Sequence, residues 1–170
     1  MSLDFNQAEI TALRAMMNEW ACFRLHQKYL ASLGQRDRGA ILSVFTVDAR
    51  YGSATGIEAI GKAVDDFWPL FEKMDSSHHI VAIPASITVS GDTATADIYT
   101  VAFIPGPDPQ GERRVMVNGM GYRDDFVRTP EGWRISAMRG IEGGYDLIHD
   151  TTWRFDAMVN TASIRSLSKE

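Results

Sequence analysis

From Asn6 to about Leu33, apolar residues return every three or four positions: Ile10, Leu13, Met17, Trp20, Phe23, Tyr29 and Leu33. That period puts them on one broad face of a helix. Asn6 followed by Glu9 has the form of a capping box, and Gly34 is a stop signal. The length fits one long helix or two joined by a bend near Cys22. Asp37 caps a short helix over 39–45, turning Ile41, Leu42 and Phe45 inward. Residues 46–53 read as a short extended piece. Gly56 opens a third helix through 74, with Ile60, Val64, Phe67, Trp68 and Phe71 on its apolar side.

The pattern changes after Ser76-Ser77-His78-His79. Segments 80–89, 93–104, 112–128 and 133–141 are rich in Val, Ile, Thr and Tyr. They are separated by Ser90-Gly91-Asp92, a Pro/Gly-rich stretch from Pro105 to Gly111, and Thr129-Pro130-Glu131-Gly132, which are turn sequences. Strands joined by short turns pair antiparallel, so this is a meander. In the first strand Val81, Ile83, Ile87 and Val89 share a parity with His79, and Pro84 marks a bulge or an edge. Gly143-Gly144 interrupts the chain, and 150–168 reads as a terminal helix with Trp153, Met158, Ile164 and Leu167. Helices, a meander and a last helix make an α+β fold: a curved antiparallel sheet wrapped around helices. The expectation is a single domain over 1–170, with its core within 10–141.

The chain has 170 residues, 45% hydrophobic and 23% charged, with a formal charge of −5. No Lys/Arg cluster answers a phosphate backbone, so nucleic acid is excluded as a partner. No run approaches the ~20 apolar residues of a membrane span, and the first residues lack a secretory pattern. The expected location is cytoplasmic. The single cysteine, Cys22, excludes an internal disulfide and reads as a buried filler in the helix. Adjacent histidines on a strand project oppositely, and no third ligand stands at a telling spacing, so no metal site is expected.

The order of motifs resembles a known family. A long helix ends in Tyr29-Leu30-Ala31-Ser32-Leu33-Gly34-Gln35-Arg36-Asp37 and is followed by Leu42-Ser43-Val44-Phe45-Thr46-Val47-Asp48-Ala49. Then come Gly56-Ile57-Glu58-Ala59-Ile60-Gly61, the histidine pair, Gly91-Asp92-Thr93-Ala94, Gly121-Tyr122-Arg123-Asp124 and Gly132-Trp133-Arg134-Ile135. This is similar to the SnoaL-like branch of the nuclear transport factor 2-like superfamily, over roughly 13–139. The resemblance implies a cone-shaped barrel with an internal pocket. It also implies chemistry of the scytalone dehydratase, bile-acid dehydratase or ketosteroid isomerase kind, run without a metal or organic cofactor.

Carried over position by position, the resemblance places the family's strand-opening histidine at His78, while strand parity favours His79. The aspartate that pairs with it at the end of the first helix falls on Gly34, so that pairing is broken; Asp97 and Asp125 are the substitutes on neighbouring strands. The resemblance matches an oxyanion-holding tyrosine to Tyr29 and a second tyrosine to Tyr51. Trp20, Tyr51, Trp68, Phe71, Phe103, Met116, Met120 and Met138 are expected to line the pocket, a lining suited to a flat apolar ligand. One of Arg134 and Arg139 is expected to pair with Asp124. The expected function is a cofactor-independent lyase or isomerase acting on a small hydrophobic cyclic substrate. The alternative is a binder of the same fold that has lost the His–Asp pair, a reading Gly34 favours. The exposed sheet face and the terminal helix suit docking on a second copy, as a homodimer or homotrimer.

Overall fold

The computed structural model describes residues 5–71, 79–107 and 113–141. Helix α1 (Gln7–Gln35) is unbroken. Its start is the expected capping box: the Asn6 side chain accepts from the Glu9 N–H, and the Glu9 carboxylate accepts from the Asn6 N–H. Its stop lies two residues later than expected. Gly34 sits inside the last turn, and Arg36 takes the left-handed conformation, φ 55°, that closes the helix. Asp37 caps α2 (Arg38–Leu42), and α3 spans Ile57–Phe71.

The strands are β1 (Phe45–Tyr51), β2 (Ala54–Thr55), β3 (His79–Ser90), β4 (Thr93–Pro107), β5 (Arg113–Thr129) and β6 (Gly132–Gly140). Phe45, expected in the short helix, instead opens β1. The six strands form one sheet in the order β2-β1-β6-β5-β4-β3. β3 to β6 are the expected antiparallel meander, while β1 joins the far edge parallel to β6. The expected helix over 150–168 and the Gly143-Gly144 break lie outside the described residues.

Two irregularities in register decide which side chains face inward. In β3 the pairing slips between Pro84 and Ser86. Val81 and Ile83 therefore lie exposed, opposite Val101 and Tyr99, whereas Ile87 and Val89 pack against the core opposite Ala96 and Ala94. The shared parity expected for these four residues does not hold, because the bulge reverses it. A second slip falls between Asp125 and Phe126, against β6. Its extra residue, Ser136, lies in β6, whose buried positions shift from Trp133 and Ile135 to Met138, while β5 alternates unbroken with Tyr122, Asp124 and Phe126 buried on its inner face.

The core lies between this face and the C-terminal half of α1. Cys22, Phe23, Tyr29 and Leu30 of the helix meet Ile98, Tyr122, Phe126, Ile135 and Met138 of the sheet; Ile41, Val44, Ile60 and Val64 close one side. The N-terminal half of α1 departs from expectation. Leu13, Met17 and Trp20, read as facing inward, are 39%, 70% and 56% exposed. No described residue covers these three side chains, although Asn18 between them accepts from Arg128 and Trp133 of the sheet. No helix of the described chain is long and apolar enough to cross a membrane.

Candidate functional site

The strongest chemical feature of the core is a pair that no motif announced. His26 of α1 and Asp124 of β5 are both fully buried, with Nδ1 2.7 Å from Oδ2. Local sequence explains each position. His26 stands three and four residues from Phe23, Cys22, Tyr29 and Leu30, in the middle of the buried helical stripe. Asp124 alternates with Tyr122 and Phe126 on the inner face. His26 Nε2 and Asp124 Oδ1 are buried with no hydrogen-bond partner among the described residues. Buried polar atoms are nearly always satisfied, so an orphan pair of this kind marks a candidate functional site.

Burial is the leading cause that raises the Asp124 carboxyl above its ordinary value; the bond from His26 offsets only part of it. With the carboxyl ionised, Nδ1–H donates to Oδ2 and Nε2 is left as a lone pair. The aspartate then fixes the tautomer and would stabilise an imidazolium.

Tyrosines surround this pair. The His26 ring lies 4.9 Å from the Tyr122 ring and 5.9 Å from that of Tyr29. Tyr29 and Tyr51 hydroxyls are 2.7 Å apart, joining α1 to β1. Burial raises all three phenols first; the shared hydrogen bond raises Tyr29 further and pulls Tyr51 back down. Either hydroxyl can donate in this pair; when Tyr29 donates, the Tyr51 O–H is left to donate to a third oxygen. Tyr122 O–H donates to Met120 Sδ at 3.4 Å.

Of the residues expected from sequence, Tyr29, Tyr51, Met120 and Met138 lie at or beside this cluster, and Trp68 packs against the core from α3. Trp20 is set apart from it on the exposed half of α1, and Phe103 is 40% exposed. Asp125 points to the outer face, where Arg139 grips it at 2.6 and 3.4 Å. Asp97 is held there by Arg123 at 2.6 and 2.7 Å. Neither carboxylate is available to a histidine in the core. The expected Arg–Asp124 pair is corrected: Asp124 turns inward to His26 and Arg139 takes Asp125, because consecutive strand residues face opposite ways. His79 opens β3 opposite Phe103; His78 and the side chains of His79, Phe71 and Met116 lie outside the described residues. Among the described residues no three His, Cys, Asp or Glu side chains converge as a metal site would require.

The comparisons with known proteins follow the fold. The SnoaL-like domain family matches residues 14–139. The chain belongs to the SnoaL-like family. An uncharacterised Mycobacterium tuberculosis (strain H37Rv) protein is 31% identical over 117 residues, covering 63% of this chain and 73% of that protein. A nuclear transport factor 2-like protein with a cystatin-like fold from Novosphingobium aromaticivorans superposes with a TM-score of 0.65 at 25% identity, over 84% of this chain and 94% of the other. A candidate dehydratase of the same superfamily from Streptomyces avermitilis superposes at 0.59 with 12% identity, over 73% and 95%, a likeness of fold alone. The SnoaL-like assignment and the α+β cone architecture expected from the motif order both stand.

The family pattern led to an aspartate on the first helix and a histidine on a strand. The SnoaL-like chain described here has a histidine on the helix and the aspartate on a strand. Two signals in the sequence could have found this pair: a histidine inside an apolar helical stripe, and an acidic residue sharing parity with Tyr122 and Phe126.

Proposed function

We propose that this protein is a cofactor-independent lyase or isomerase that moves a proton on a small hydrophobic cyclic carbonyl or hydroxyl compound. The observation that carries the reading is the buried His26–Asp124 pair with its unpartnered Nε2. In this reading Nε2 takes the proton beside the carbonyl, and Asp124 steadies the imidazolium that results. Tyr51, with its oxygen held by Tyr29, donates to the oxygen on which charge develops. The substrate carbon loses a proton to His26 and its electron pair moves toward the oxygen. Returning the proton at another carbon completes an isomerisation, and expelling a leaving group completes an elimination. The base is His26 in preference to His78 or His79, because the carboxylate that supports it is the one facing the core.

The test uses cyclic ketones in deuterated water, with loss of the α-proton signal followed by NMR. Wild type should catalyse the exchange. His26→Gln should bind the same ketone, as judged by thermal shift, and exchange it at least a hundredfold more slowly. His78→Ala and His79→Ala should exchange at the wild-type rate. If ketones raise the melting temperature and wild type exchanges no faster than buffer, the protein is a binder. If His78→Ala or His79→Ala alone abolishes exchange, the base has been misassigned.

A further inference from the structure

The N-terminal half of α1 is unusually apolar for a surface. Every residue from Thr11 to Met17 is exposed. Within this stretch and just beyond it, Leu13, Met16, Met17 and Trp20 are 39%, 63%, 70% and 56% exposed. Their spacing of three, four and seven puts them on one stripe, which single scattered surface residues do not do. Exposed at every position from Thr11 to Met17, this end of the helix is marginal in water unless its apolar face is covered.

The charges at the ends of the stripe say what covers it. Glu9 lies four residues before Leu13 and Arg24 four residues after Trp20, so both continue the same line, and both are exposed. The line reads Glu9, Leu13, Met16, Met17, Trp20, Arg24, and its two halves mirror each other about the point between Met16 and Met17. Two copies laid antiparallel about that point bring Leu13 against Trp20, Met16 against Met17, and Glu9 against Arg24 at both ends. Laid parallel, the same stripe sets Glu9 beside Glu9 and Arg24 beside Arg24. Arg24 has no ion-pair partner among the described residues, and Glu9 engages only the Asn6 N–H through one oxygen, leaving the other free. A self-complementary patch is what a two-fold interface requires.

We infer that two copies of this chain associate through an antiparallel pairing of their α1 helices, centred between Met16 and Met17 and closed at each end by a Glu9–Arg24 pair. The seam is one helix wide, at the small end for an interface, so the dimer should dissociate on dilution.

Sedimentation of the full chain over a range of concentrations tests this. Wild type should be a dimer in the micromolar range. Arg24→Glu places two carboxylates at each end and should weaken the dimer at least about tenfold. Adding Glu9→Lys to Arg24→Glu restores opposite charges and should restore the dimer; Asn6 still caps the Glu9 N–H in that variant. Met17→Glu should give a monomer. Arg24 and Met17 are exposed and make no hydrogen bond among the described residues, so circular dichroism and melting temperature of Arg24→Glu and Met17→Glu should stay close to wild type, while Glu9→Lys gives up the Asn6 N–H bond and should melt slightly lower. A monomeric wild type overturns the inference. So does a dimer that ignores Arg24→Glu and Met17→Glu, which would mean that copies meet elsewhere and another segment covers the stripe. Failure of the double charge reversal to rescue overturns the antiparallel register.

Discussion

Replacing Asp124 with alanine removes one member of a pair whose two side chains have no exposure at all. His26 would then keep both ring nitrogens buried, since Nε2 already lacks a partner. Breaking a buried pair from one side costs about 3–5 kcal/mol. For a chain of this length each kcal/mol moves the melting temperature by about 2–4 °C, so Asp124→Ala should melt roughly 6–20 °C lower. The double variant His26→Leu, Asp124→Val removes both polar groups and should recover most of that loss, because an apolar pair of similar volume leaves nothing unsatisfied. Thermal and urea unfolding of wild type and the two variants measure both changes. If Asp124→Ala lost less than about 1 kcal/mol, or the double variant were the least stable, the pair would not be desolvated and the reasoning would fail.

The pH dependence follows from the same group. Burial raises the Asp124 carboxyl above its ordinary 3.8, so folding favours its neutral form. The stability this contributes is complete below pH 3.8 and is lost as pH rises through the raised folded value. Asp124→Asn lacks this titration. Wild-type stability minus that of Asp124→Asn should therefore fall as pH rises from about 4 toward neutrality. A flat or rising difference would refute the shift. Other carboxylates, Asp97 with its lowered value among them, cancel in the subtraction.

Tyr51→Phe removes one partner of the 2.7 Å hydroxyl bond and should cost about 0.5–1.5 kcal/mol in urea unfolding; under the proposed function it should also slow turnover more than it weakens binding. The Cys22 thiol is buried and pushed up to about 12, so it should resist thiol reagents at neutral pH until the chain unfolds. Gly121→Ala would place a Cβ 3.1 Å from the Tyr99 ring and 3.3 Å from Ile141, and should lower stability by about 1–3 kcal/mol, measured by thermal unfolding.

The architecture was legible because its signals are local. The capping box at Asn6 and Glu9, the Asp37 cap and the glycine turns each act within four residues, and the Pro84 bulge was marked by the proline itself. The site was less legible because it depends on which way two residues face. Asp124 and Asp125 are chemically the same in sequence; strand alternation sends one to His26 and the other to Arg139. The half-exposed α1 was misread for a related reason. Helical period identifies a stripe, and only the extent of the sheet determines how much of the stripe is covered.

His26 and Asp124 stand 98 residues apart, on the first helix and the second-last strand. The strands of the meander meet across short connections, whereas this pair needs more than half the chain in place. Contacts so distant in sequence are the slow ones to form. A molecule with a complete sheet but an undocked α1 would have its aspartate and no histidine to meet it. The pair therefore reports arrival of the helix, and any chemistry that depends on it would be absent from every partly folded form.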